Sequence, residues 1–326
     1  MILKKVKHAF AFCREYGTKC FVSVMPYNLY SHYKEDGRIS KILLLQKHKA
    51  IQTYLFDSYY KVIKEYKFND NQKSDDLNQC IWTAWLQGEE NAPEIIRITL
   101  ASIRKYSNNH RVIVLTANNI DDYIDVPYKI KEKYNNGLLG HAHFADVVRM
   151  MILAKYGGVW LDATSLLHEP IDENAFISDF FSVGFKSANS KYISNNKWSV
   201  NVLGGNNKSK YLKTISTILN DYWSKHNTPI DYFVFDYVID LIYENDSFFK
   251  QIIDSLPRSK YRSTELKKYI NNEYGKQILI DLFVENQIYY LSYRNKYEKL
   301  TKSKKQTNYG YLYHFYLDDK IKSTFE

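Results

Sequence analysis

The residues best placed to do chemistry lie in one stretch, HAHFADVVRMMILAKYGGVWLDAT, residues 141–164. Asp146 and Arg149 stand three positions apart, so on a helix they share a face. Gly157-Gly158 stops that helix and turns the chain into the apolar run VWLDA (159–163), a strand pattern with Asp162 near its carboxyl end. In open α/β sheets, ligands bind outside the carboxyl ends of the strands. A crevice holding two carboxylates, an arginine and the nearby His141 and His143 suits a polyhydroxyl ligand, a phosphate and a divalent cation. A hard cation such as Mg²⁺ or Mn²⁺ takes oxygen ligands and bridges phosphates to one or two carboxylates. Each piece also has a plainer use. An Asp–Arg pair one turn apart is commonly a surface salt bridge, Gly-Gly a C-cap, and a strand-end Asp a cap for the next helix.

Other machinery lacks support. There is no GxGxxG for a dinucleotide, no GxxxxGK[ST] for a P-loop and no GxSxG nucleophile elbow. Cys13, Cys20 and Cys80 form no CxxC pair and sit in no recognisable nucleophile context, and His141 and His143 lack zinc-site spacing.

The elements that must position this stretch alternate. CIWTAW (80–85), RVIVLT (111–116), VWLDA (159–163), FFSVGF (180–185) and SVNVLGG (199–205) read as strands. APEIIRITLASIRKY (92–106), FADVVRMMILAKY (144–156), SKYLKTISTILNDYW (209–223) and YFVFDYVIDLIYE (232–244) read as helices. That order predicts an α/β domain with a mainly parallel sheet flanked by helices. Upstream, residues 1–75 read as a helical region. Ser40 is the expected N-cap, and Ile42, Leu45, Ile51, Leu55, Tyr59, Val62 and Tyr66 form one face. The Asn/Asp/Ser-rich run 69–76 is the expected boundary with a domain over 76–326.

The chain has 326 residues, 45% hydrophobic and 25% charged, with only 12 Gly and 6 Pro, which excludes wholesale disorder and collagen-like repeats. Three Cys without a framework fit a reducing compartment, and no apolar run is long enough to span a bilayer. A basic N-terminus with no apolar stretch after it does not read as a signal peptide. The net charge of +9 is uneven. Residues 1–67 hold thirteen Lys/Arg against five Asp/Glu, and residues 291–326 hold eight against four. Basic ends around a near-neutral body suggest an acidic surface or an anionic substrate. Nucleic acid is not expected, because no helix-turn-helix, zinc-finger or RNP signature accompanies the charge. Thirty Tyr and 17 Phe offer flat faces and hydroxyls that suit sugars, though most must serve packing.

Three segments, IWTAWLQGEENAPEIIRITLASI (81–103), HFADVVRMMILAKYGGVWLDAT (143–164) and LNDYWSKHNTPIDYFVFDYVIDL (219–241), together resemble the capsular polysaccharide synthesis family of bacterial sugar transferases. The resemblance covers roughly residues 78–245. The middle segment also resembles the broader transferases with a sugar-binding DXD region, including the glucosylating clostridial toxins. It implies a GT-A-type nucleotide-sugar transferase fold and retention of the donor's anomeric configuration. Residue by residue, it implies that Trp82 stacks on the uracil of a UDP-sugar, with Gln87 and Gly88 shaping the nucleotide pocket. Asp146 and Arg149 would hold the donor sugar and diphosphate. Asp162 would bind Mn²⁺ or Mg²⁺ with His314 in YLYHFYL as a further ligand. The chain reads Asp162-Ala163-Thr164 where the wider pattern is Asp-x-Asp, so one carboxylate is missing from the metal shell and Thr164 stands in its place, near the donor sugar. Asp236 is the further catalytic candidate, and Asn201 a further sugar contact.

The function so implied is transfer of a hexose from UDP-glucose or UDP-galactose to a polyprenyl-diphosphate-linked sugar during capsule repeat-unit synthesis. The expected location is cytoplasmic and peripheral, at the inner face of the plasma membrane, with the basic helices of 1–67 lying on that surface. The alternative is a non-catalytic sugar-binding or scaffold subunit of the assembly machinery, for which the missing carboxylate argues.

Overall fold

The computed structural model describes residues 2–31, 37–65, 77, 79–260 and 264–318. The expected boundary at 69–76 lies outside them, as does Tyr66 of the expected helix face. The fold is mixed α/β. Its central sheet takes β1 (Ile81–Ala84), β2 (Val112–Leu115), β3 (Gly158–Leu161), β4 (Phe181–Ser182) and β5 (Val202–Gly205) in the order β2-β1-β3-β5-β4. β1 runs parallel to β2 and β3, but β5 is antiparallel to β3, and β4 antiparallel to β5. The mainly parallel sheet expected from the alternation is therefore corrected to a parallel block of three strands extended by an antiparallel pair. FFSVGF is likewise two short strands rather than one: Phe181–Ser182 joins this sheet, while Gly184–Phe185 pairs with Arg258–Ser259.

The helices used below are α1 (Ile2–Tyr30), α2 (Arg38–Glu65), α3 (Glu94–Lys105), α4 (His141–Tyr156), α5 (Lys210–Lys225), α6 (Val234–Asn245) and α7 (Asn308–Leu317). Side chains alternate across each strand, so the sheet feeds two cores. Ile81, Val159 and Leu161 pack with Ile96 and Ile103 of α3 and Leu312 and Tyr316 of α7. Trp82, Trp160 and Leu203 face the other way, toward Val148 and Ile152 of α4, Ile215 and Leu219 of α5 and Val238 of α6. All four residues of β3 are buried, as a central strand covered on both faces must be.

α1 is broken at Gly17 (φ +79°) and packs with α2 as a hairpin in the second core. The buried face of α2 is Ser40, Leu44, Lys47, Ile51, Leu55 and Tyr59. Two expectations fail here. Ser40 is buried inside the helix rather than capping it, and Ile42 and Leu45 are exposed. The inward position at Lys47 works because its ammonium ion-pairs with Asp231 at 2.5 Å, with both side chains largely buried.

Candidate functional site

β1 and β3 are parallel, so their carboxyl ends open on one edge of the sheet. The chain reaches β3 from α4 through Gly157-Gly158, where a Cβ at Gly158 (φ +88°) would lie 2.3 Å from the Cys80 carbonyl oxygen. That tight reversal sets α4 back along β3, so its first turns stand beside the strand's carboxyl end. His143, Asp146 and Arg149 thereby meet Asp162, the residue just after β3.

A cleft of about 310 Å³ opens at this place. Arg149 lies at its base, 4% exposed. Its Nη2 donates to Asp162 Oδ1 at 2.9 Å and lies 3.4 Å from Asp146 Oδ1, while Nη1 donates to the Val200 carbonyl at 2.6 Å. The guanidinium is flanked by the rings of Trp160 and Phe235, at 5.1 and 5.6 Å. Its Nε has no partner among the described residues, so protein acceptors do not exhaust its donors. Asp162 Oδ1 also accepts from Trp160 Nε1 at 2.8 Å. Asp236, in the first turn of α6, also lines the cleft and accepts from Trp198 Nε1 at 2.9 Å. The His143 ring packs on Trp223, with Nε2 3.1 Å from the Tyr232 carbonyl oxygen.

Three carboxylates share one arginine here, and burial shapes their titration. Burial pushes the Asp146 carboxyl up to about 6, opposed by Arg149 and His143 and reinforced by Asp162. Burial pushes Asp236 up to about 7, opposed by the Trp198 hydrogen bond and Arg149 and reinforced by Asp146. Both groups can therefore take or give a proton near neutrality. Burial likewise raises the Tyr290 phenol, which lies near Asp162 and Arg149.

Of the ten residues singled out in the sequence, six line this cleft: Asp146, Arg149, Asp162, Thr164, Asn201 and Asp236. The other four do not. Trp82 has no exposed surface; its indole stacks on Tyr156 and donates to the Gly157 carbonyl at 3.1 Å, so no face is open to a base. Gln87 is exposed outside the cleft, and Gly88 (φ +87°) turns the chain over the Glu90 carboxylate. His314 belongs to α7, with Nδ1 3.1 Å from Asp318 Oδ2. Sequence reasoning missed Trp85, Trp160 and Trp198. Trp85 follows the last residue of β1, lines the cleft, packs edge-on against Tyr293 and leaves its indole N–H without a partner among the described residues. Its position after IWTA was the available signal; nothing local to Trp198 marks its bond to Asp236.

Among the described residues no three His, Cys, Asp or Glu side chains converge to hold a metal ion. Arg149 already stands against Asp162, and His314 lies elsewhere. The donor set among the described residues does not fit a metal held by protein ligands alone.

Residues 32–312 match the family described as Capsular polysaccharide synthesis protein. The chain belongs to this family. An O-glycosyltransferase, braB, of Annulohypoxylon truncatum is 27% identical over 103 residues, 28% of this chain and 24% of that protein. The match thus spans about a quarter of the curated relative's length. The solved apo structure of the WbbM bifunctional glycosyltransferase aligns with 96% of this chain and 70% of its own, at 10% identity and a TM-score of 0.41.

Proposed function

We propose that this member of the capsule-synthesis family is a GT-A-type retaining glycosyltransferase. It moves a hexose from a UDP-sugar to a lipid-linked sugar acceptor during repeat-unit assembly. The observation that carries the reading is the Arg149 guanidinium, held between Asp162 and Asp146 at the carboxyl ends of parallel strands. A planar, permanently charged fork suits a diphosphate. As the bond from the sugar's C1 to the diphosphate oxygen breaks, negative charge grows on the leaving group, and a preorganised cation in a half-enclosed cleft stabilises it. The acceptor hydroxyl then forms its bond to C1 on the face the diphosphate left, and Asp236 is the group that takes the hydroxyl proton. Asp146, Thr164 and Asn201 supply hydrogen bonds to sugar hydroxyls. Trp85, rather than Trp82, supplies the flat wall for the base.

The test is release of UDP from UDP-glucose and UDP-galactose by the full chain, with and without Mn²⁺, against Asp162→Ala. Donor-dependent release that the substitution abolishes supports the reading. Binding of UDP without turnover of either donor, with any acceptor sugar supplied, favours the sugar-binding scaffold subunit, for which the lack of a three-ligand metal cluster among the described residues argues.

A further inference from the structure

α2 has two working faces. Its buried stripe runs Ser40, Leu44, Lys47, Ile51, Leu55, Tyr59; beyond its hairpin partner α1, α2 packs on α6, whose first turn carries Asp236. Opposite lies a second stripe at the same three- and four-residue spacing: Arg38, Ile42, Leu45, Lys49, Thr53, Phe56 and Tyr60. Its apolar members are open to solvent, Leu45 by 66% and Ile42 by 48%, and Phe56 and Tyr60 pack together with ring centroids 4.6 Å apart. Its charged members are Arg38 and Lys49, and the exposed Asp57 borders it. α1 extends the surface. Lys19 and Val22 share a shallow groove with Lys49, Thr53 and Asp57, two lysines against one acid, and Val22 is 63% exposed. A helix of 28 residues is about 42 Å long, so the ridge is a straight, basic and apolar band.

We propose that this outer ridge of the α1–α2 hairpin docks in the plane of an anionic lipid bilayer. Apolar side chains projecting between Lys and Arg, on a helix whose other face is committed to the core, are what an interfacial helix presents to headgroups and the first acyl carbons. The charge decides between occupants. A two-fold contact with a second copy would set the basic stripe against itself, whereas an anionic surface attracts each Lys or Arg. No helix among the described residues is long and apolar enough to cross a membrane, so the hairpin lies on the surface rather than through it. The ridge is then one helix away from the wall of the cleft, which brings a lipid-held ligand near the site.

The experiment is co-sedimentation of the full chain with vesicles of phosphatidylcholine alone, or of phosphatidylcholine with one third phosphatidylglycerol. The wild type pellets with the anionic vesicles, less so in high salt, and not with the neutral ones. Arg38→Glu/Lys49→Glu and Leu45→Gln/Phe56→Gln each lower the partition coefficient at least about tenfold. All four side chains are exposed, so melting temperatures stay unchanged. Equal pelleting of the wild type and both variants overturns the proposal, as does a wild-type dimer that the ridge variants convert to monomer. The assay contains no donor or acceptor, so its failure leaves the transfer reading untouched, and a failed transfer assay leaves this one untouched.

Discussion

Replacing Arg149 with Met exposes the electrostatics of the cleft. Arg149 is the cation that faces Asp146 at 3.4 Å and Asp162 at 2.9 Å from a position 4% exposed. Removing one partner of a buried pair leaves an uncompensated charge and costs about 3–5 kcal/mol. The loss depends on pH. Arg149 opposes the rise of both Asp146, at about 6, and Asp236, at about 7, so without it both rise further. At pH 8 the wild type holds both as carboxylates, and the variant must either keep them unpaired or protonate them against the solvent. At pH 5 both are already mostly protonated in the wild type, so less interaction remains to lose. Urea unfolding followed by tryptophan fluorescence is expected to show the full loss at pH 8. At pH 5 the loss is smaller by at least about 1.4 kcal/mol, the equivalent of one pKa unit. Equal losses at the two pH values would refute the coupling between Arg149 and these acids.

Asp236→Asn acts in the opposite direction on stability. The native carboxyl is raised from 3.8 to about 7, so its contribution is fully present below pH about 4 and is lost as pH rises through about 7. The Asn variant is expected to be more stable than the wild type at pH 8, by on the order of 1–3 kcal/mol in urea melts, and not at pH 4. Its transfer rate should fall at least about hundredfold if Asp236 takes the acceptor proton, and an unchanged rate would remove that role. Trp85→Ala is expected to weaken UDP binding about tenfold or more by calorimetry while leaving the fold intact, whereas Trp82→Ala should destabilise the fold by about 3–5 kcal/mol. The reverse ranking would restore Trp82 to the site. Gly157→Ala places a Cβ 2.7 Å from the Asn207 amide nitrogen at φ +69°, so a loss of about 2 kcal/mol or more in thermal melts is expected. A neutral result would show that the α4–β3 reversal can relax.

The central constellation was legible because local rules and topology agree there. Helical spacing put Asp146 and Arg149 on one face, and the double glycine returned the chain along β3 so that Asp162 met them. Trp82 and Trp85 could not be told apart in the same way. Both follow apolar residues in one short run, and which is sealed depends on where β1 ends and on Tyr156 covering the Trp82 indole. His314 entered only through the family resemblance, and nothing local to YLYHFYL fixes where that segment packs. Its buried set includes Tyr309, Leu312 and Tyr316, at helical spacing. On α2 the hydrophobic face was misjudged because Lys47 turns inward to a partner, Asp231, that lies 184 positions away in the chain. The direction of β5 depends on how residues 162–201 cross the sheet edge, and no local pattern encodes that path.

The most direct test of the cleft as a sugar-nucleotide site is calorimetric titration of UDP into the wild-type chain and into Arg149→Lys. Lysine keeps the charge that Asp146 and Asp162 need but not the planar fork that holds a diphosphate. Binding by the wild type that weakens about tenfold in Arg149→Lys is the predicted result. A wild type that gives no heat with UDP, or a lysine variant that binds it equally well, contradicts the account.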